Sequence, residues 1–302
     1  MRASGTVMCL GSAATFGAMG VFGKLSYAEG ATVGTLLAVR FVMAAALFWA
    51  LVLLTGDGHQ IRAMEGRKLR AGLALGGCYA AQAGLYFAAL ERLDASLLSL
   101  LLYTFPAMVA GAAVALGRER INGRRLAALA LALSGLVLVV GGAGAGALDP
   151  LGAALGLSAA VVYSAYILVS EGIAARTRPR LLSALVCTGA AVPLIAGSAL
   201  LGQLRLGELT PSGWAWLGCL ALVSTVTAIS LFLAGLPRVG PTNAAILGTV
   251  EPLVTVVLAF FVFGETLGGV QLIGGSLVLG AVVVLNARRR AVHELALQRA
   301  PA

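Results

Sequence analysis

Polar residues divide the chain into ten apolar runs, at about 4–26, 33–54, 70–90, 95–116, 125–142, 151–171, 181–203, 213–236, 241–263 and 267–287. Each is close to the ~20 residues that a helix needs to cross a hydrocarbon layer of about 30 Å. None alternates apolar and polar positions with a period of two, which excludes barrel strands. In lipid the backbone must then satisfy its own hydrogen bonds as helix. The pattern predicts an all-α integral membrane protein with ten transmembrane helices. Turn chemistry marks several boundaries: Asp149-Pro150 and Thr210-Pro211 each read as an N-cap followed by proline in the first helical position. Gly240-Pro241 opens the ninth run. The first run has only Arg2 ahead of it and no small-residue cleavage site, so it reads as a mature helix rather than a signal peptide.

Composition agrees with this reading. Of 302 residues, 60% are hydrophobic and 11% charged, and the mean hydropathy is +0.97. A soluble domain carries roughly 25% charged residues. A soluble enzyme, a secreted disulfide scaffold and a disordered chain are thereby excluded. The net charge of +9 would suggest nucleic acid in a soluble protein, but here its placement explains it. With the N-terminus inside, inner segments hold 17 of the 21 basic residues, among them Arg62, Arg67, Lys68, Arg118, Arg120, Arg176, Arg238 and Arg288 to Arg290. Outer loops hold only Arg92 and Arg205, and Lys24 and Arg40 fall within runs. The positive-inside rule then puts both termini in the cytoplasm, with the lipid bilayer and not nucleic acid as partner. Cys9, Cys78, Cys187 and Cys219 lie in apolar runs, and His59 and His293 lie far from them, so no metal site is expected. The glycine-rich stretch Gly141–Gly146 has neither a preceding strand nor a later acidic ribose partner, and reads as a connector. No Walker-type loop is present, and no cofactor is expected.

A repeat is visible at an offset of 146 residues. It aligns Arg92 with Arg238, Pro106 with Pro252, Glu119 with Glu265 and Gly123 with Gly269, with 11 identities over the 51 positions of 90–140 against 236–286. Five helices per half is an odd number, so the second half is expected upside down relative to the first. The expected organisation is a first five-helix repeat at 1–146, an inverted second at 147–287 and a basic cytoplasmic tail at 288–302. Inverted repeats are a transporter architecture with a site near the midplane between halves.

Ten helices in a 5+5 inverted repeat, a proline in runs 4 and 9, Glu119 and Glu265 after them, and Ala38-Val39-Arg40 in run 2 together resemble the EamA branch of the drug/metabolite transporter superfamily. Thr15-Phe16-Gly17 stands where many members have Trp-Gly, and Arg118 where the second copy has Gly264. Within that branch the chain most resembles the YddG-type exporters of aromatic and related amino acids. The resemblance implies an inner-membrane secondary transporter, with no enzyme activity, exporting small metabolites such as amino acids. Drugs or other small metabolites are the alternative substrates.

Candidate transport residues are the polar groups at membrane depth. Glu251 lies about ten residues into run 9, roughly 15 Å deep at 1.5 Å per residue. Two readings stand: a cavity carboxylate that meets a substrate amine or exchanges a proton, or a hydrogen-bonded glutamate serving backbone groups freed by Pro252. Arg40 reads first as an anchor to a neighbouring helix end, and Lys24 as a side chain snorkelling to water. Tyr79, Gln82 and Tyr86 share one face of run 3; Ser96, Ser99 and Tyr103 share one of run 4; Tyr163, Tyr166 and Ser170 share one of run 6. Tyr86 and Ser96 sit near helix ends and fit an interface belt. The deeper Tyr79, Gln82, Ser99, Tyr103 and Tyr163 are expected, with Glu251, to line a mostly apolar pocket suited to a zwitterion with an apolar side chain. Thr225, Thr227 and Ser230 read as hydroxyls back-bonded to their own helix. Pro106 and Pro252 each remove a backbone donor and are expected to bend their helices as hinges. Gly72 and Gly76 read as packing positions. An intramembrane enzyme would need a catalytic set that the sequence lacks. A channel would need rings of like groups. The protein is taken as a monomer.

Overall fold

The computed structural model describes residues 2–56, 64–116, 123–142, 149–174, 177–239, 247–248 and 250–298, and all regular structure among them is helical. His59, Arg62, Arg118, Glu119, Arg120, the connector at 143–146, Arg176 and Gly240-Pro241 lie outside the described residues.

Where they are described, the expected runs are mainly helical. Six segments are long and apolar enough to cross a membrane: Ser4–Ala28, Val33–Leu54, Gly66–Leu90, Pro150–Ser170, Pro179–Leu200 and Pro211–Leu236. Ala95–Val109, Leu126–Val139, Val250–Phe263 and Gly269–Val284 are shorter apolar helical stretches. The expected caps form where they are described. Thr210 accepts from the Gly213 amide at 3.0 Å, and Asp149 accepts from Gly152 at 2.8 Å. At Asp149 the Gly152 amide and then Arg92, 3.1 Å away, hold the carboxyl below its usual range. The C-terminal helix runs on through the basic tail to Gln298.

Three runs are not single regular helices. Run 1 is α1 (Arg2–Gly17) and α2 (Met19–Ala28), meeting at Ala18. After α3 (Val33–Leu54) and α4 (Gly66–Leu90), run 4 splits into α5 (Ala95–Leu102) and α6 (Phe105–Ala115). The interruption at Tyr103-Thr104 lies between Pro106 and Leu102, the residue whose carbonyl would have taken the amide that proline lacks. Beyond α7 (Gly123–Gly141), α8 (Pro150–Ala174) and α9 (Pro179–Leu200), run 8 contains α10 (Pro211–Ala221), a π-helical turn Leu222–Thr227 and α11 (Ala228–Val239). The last two are α12 (Val250–Phe263) and α13 (Gly269–Gln298). Leu247 and Gly248 are also helical, and Pro252 follows Gly248 by one turn.

Helices α3 and α9 are both 22 residues long and start 146 residues apart; α7 and α13 start at the same offset, and α2 and α8 end at it. The principal packing joins the first half of the chain to the second: α3 and α4 pack on α9, α4 on α8, α1 on α11 and α12, and α7 on α13. The halves therefore interleave and do not form two bundles side by side. Close approach is set by glycine. A Cβ at Gly76 on α4 would stand 2.6 Å from the backbone of Gly189 on α9. The Trp49 indole on α3 also donates to Thr188 on α9 at 2.9 Å. The core between them holds Leu36, Leu37, Phe41, Phe48, Phe87 and Leu90, all buried.

Candidate substrate-binding site

Aromatic rings, Phe41 and Tyr103 buried and the four between them half-buried, form a continuous chain across the fold. Phe41 meets Tyr79 edge-on at 5.6 Å, Tyr79 meets Tyr166 at 5.4 Å, and Tyr166 stacks with Tyr163 at 6.2 Å. Tyr163 then meets Phe105 at 4.7 Å and Phe105 meets Tyr103 at 5.7 Å. A charged residue stands at each end. The Arg40 guanidinium lies over Phe41 at 5.2 Å and over Phe87 at 5.4 Å. The Tyr103 hydroxyl lies 3.0 Å from a carboxylate oxygen of Glu251.

The Glu251 end is shaped by Pro252. Proline has no amide to give to the carbonyl four residues earlier, Gly248, and the Tyr103 hydroxyl donates to that carbonyl instead. Tyr103 thus has one proton and two acceptors in reach. If it serves Gly248, the Glu251 contact is satisfied only when the carboxyl is protonated and itself donates to the phenol oxygen. If Glu251 is ionised, it draws the phenol proton and competes with Gly248. Helix α1 closes this corner. A Cβ at Gly17 would stand 2.7 Å from the Glu251 carbonyl, and the Thr255 hydroxyl donates to the Gly17 carbonyl at 2.9 Å.

At the other end, Arg40 is 1% exposed. Its Nε donates to the Thr225 hydroxyl at 2.9 Å, and that hydroxyl donates to the Leu220 carbonyl, five residues back, at 3.1 Å. The π-helical turn supplies this geometry, because its i→i+5 spacing offers a carbonyl one residue further back than an α-helix does. The anchor expected for Arg40 is there, but among the described residues Nη2 has no hydrogen-bond partner.

The sequence candidates divide. Tyr79, Tyr103, Tyr163 and Glu251 are brought together along the rings. Gln82 is buried on α4 one turn from Tyr79, with no side-chain hydrogen bond among the described residues. Ser99 is buried, but its proton goes to the carbonyl of Ser96 at 2.8 Å. Phe105, not singled out from the sequence, and Tyr166, placed on the Tyr163 face but not among the deeper candidates, complete the chain. Their signals were position beside Pro106 and spacing of three from Tyr163. Two interface expectations are corrected. Tyr86 is 3% exposed in the core, and Ser96 is held by Glu265. Both lie near helix ends in sequence, yet neighbouring elements cover those ends.

Lys24 is held by carboxylates. Its ammonium is 2.7 Å from Glu265 and 3.5 Å from Asp94. Glu265 is aimed by Gly264, whose positive φ of 69° ends α12 in the left-handed conformation that glycine tolerates. Its carboxylate also accepts from the amides of Ala95 at 3.2 Å and Ser96 at 3.1 Å, capping α5 from across the fold. Burial pushes this carboxyl up, but Lys24 and the two amides outweigh it and hold it below its usual range.

Residues 3–141 and 150–287 each match the EamA-like transporter family. The chain belongs to that family and is a multi-pass membrane transporter, not an enzyme. It is 27% identical over 278 residues to the uncharacterized transporter YcbK of Bacillus subtilis (strain 168), covering 90% of this chain and 89% of that one. It is also 30% identical over 204 residues to an uncharacterized transporter of Archaeoglobus fulgidus, covering 66% and 70%. A solved crystal structure superposes with a TM-score of 0.66 over 97% of this chain and 99% of its own, at 20% identity, which speaks to the fold.

Proposed function

We propose that this transporter is an inner-membrane (plasma-membrane) carrier that exports amino acids with aromatic or other apolar side chains by alternating access. The observation that carries this reading is the largely enclosed chain of rings ending on Glu251. It offers apolar surface along its length and a carboxylate for an amine at one end. Tyr79, Gln82, Ser99, Tyr103, Tyr163 and Glu251 contact substrate, and Pro106 and Pro252 serve as hinges beside the interruption at Tyr103-Thr104 and the first turn of α12. The carrier has ten spans in two inverted five-helix repeats, with both termini in the cytoplasm. The 146-residue offset between helix starts and the two separate family matches support this arrangement. It functions as a monomer.

Counterflow of a labelled amino-acid panel into proteoliposomes tests the reading. Saturable flux, inhibited by unlabelled aromatic amino acids and lost in Glu251→Gln, is expected. Non-saturable flux, or no exchange with any member of the panel, would overturn it.

A further inference from the structure

The Arg40 end of the ring chain has more binding capacity than the fold uses. Arg40 is enclosed at 1% exposure, and among the described residues no carboxylate pairs with it. Its Nε is committed to Thr225, while Nη2 is buried without a hydrogen-bond partner. A second buried polar atom without a partner, the Ser224 hydroxyl, stands next to Thr225 in the chain. These are the buried side-chain polar atoms left unsatisfied among the described residues. One belongs to Arg40, and the other neighbours Arg40's anchor. Buried polar groups are nearly always paired, and a buried unpaired guanidinium is among the costliest exceptions. Such a group is explained by a ligand that satisfies it.

Its position is also distinctive. Arg40 sits beside the Tyr79 hydroxyl and is bonded to Thr225. Positions 79 and 225 are 146 residues apart, the repeat offset, so one arginine is held between equivalent places in the two halves. Its own counterpart is Val186, so this charge is present once. The side chain lies where α3 meets the π-helical turn, with Phe41 and Phe87 against its face. A guanidinium with free donors in a planar fork matches a carboxylate in shape and charge.

We propose that Arg40 is the anion-binding pole of the transport site. It receives the carboxylate of an amphipathic substrate whose apolar part lies on the rings running from Phe41 toward Glu251. This rests on the reading of the ring chain as the substrate site and deepens it. A carboxylate-bearing molecule is selected over the corresponding amine, and Thr225 acts as a positioning residue that fixes the guanidinium. The described conformation shuts Arg40 away, so the substrate reaches it when the surrounding helices part.

The test uses the purified full-length protein in detergent, with ligand affinity read from the concentration dependence of the thermal transition. The probes are L-phenylalanine, 3-phenylpropionate (carboxylate alone) and phenethylamine (amine alone). Arg40→Gln is expected to weaken both carboxylates about 10- to 100-fold, the range for a charge-assisted hydrogen bond, and to leave phenethylamine unchanged. Thr225→Val is expected to weaken the carboxylates selectively by a smaller factor. If Arg40→Gln does not fold, Arg40→Lys and Thr225→Val must show the same selectivity. Equal affinity of phenylalanine and phenethylamine, with both indifferent to these variants, would overturn the anionic pole and leave the amino-acid reading standing. Binding of 3-phenylpropionate but not phenylalanine would keep the pole and remove that reading. Binding of no probe would overturn both.

Discussion

Tyr103 and Glu251, 3.0 Å apart, join α5–α6 of the first half to α12 of the second. The phenol stands in for the amide that Pro252 lacks, and the same phenol touches the carboxyl group.

That substitution predicts a specific non-additivity. Tyr103→Phe leaves the Gly248 carbonyl without its donor, at a cost of about 1–3 kcal/mol. Pro252→Ala returns a backbone amide to that carbonyl. In the Pro252→Ala background, Tyr103→Phe should therefore cost much less. Thermal unfolding of the two single variants and the double variant measures the difference. Equal costs in both backgrounds would show that Tyr103 does not compensate for the proline.

The Lys24–Glu265 pair should resist simple charge exchange. Glu265 is a partner of Lys24 and also the cap of α5, so Glu265→Gln should destabilise by about 3 kcal/mol, as for one member of a largely buried pair. Exchanging the pair, with Lys24→Glu and Glu265→Lys, should fail to rescue, because an ammonium cannot accept from the Ala95 and Ser96 amides. Rescue to wild-type stability in a thermal melt would contradict the cap.

The same carboxylate sets an acid limit. Its folded pKa lies below the unfolded one, so its contribution is complete at pH values above the ordinary carboxylate pKa. It is lost as the pH falls from that value through the lowered one. A melt series from pH 7 downward should show a loss of stability that is smaller in Glu265→Gln.

Packing of α4 on α9 should make neighbouring glycines unequal. At Gly76 a methyl group would meet the Gly189 backbone at 2.6 Å, whereas at Gly77 it would meet nothing within 4 Å. Gly76→Ala should lower stability by about 1–3 kcal/mol, and Gly77→Ala should change little. Fluorescence-detected size exclusion after stepwise heating distinguishes them.

The distribution of arginine and lysine predicts sidedness. Gly207→Cys should react with a membrane-impermeant maleimide in intact cells, and Glu65→Cys only after permeabilisation. The four native cysteines lie buried or half-buried and should give little background. The reverse pattern would invert the proposed topology.

Much of the fold is legible in the sequence because apolar run length and cap chemistry are local. Asp149 and Thr210 start their helices as Pro150 and Pro211 indicate. What is not legible depends on distant partners. Nothing local announces the π-helical turn at Leu222–Thr227, whose Thr225 meets an arginine 185 positions away. Repeat alignment singles out Glu265, but not its work as a cap for α5. Tyr86 and Ser96 were misread because a helix end in sequence was equated with a membrane surface, while the fold covers both. Of the ring chain, the tyrosine spacings single out Tyr79, Tyr103, Tyr163 and Tyr166. Phe105 gains meaning only once α6 and α8 are side by side.

Interleaving of the halves bears on how the protein is made. While only α1 to α7 have been inserted, the glycine seam of α4 lacks its partner and Arg40 lacks its Thr225 anchor, both of which belong to the second half. Their final contacts arrive with α8, α9 and the α10–α11 segment. An isolated amino-terminal half should therefore be a target for membrane quality control, and supplying the carboxy-terminal half as a separate chain should protect it.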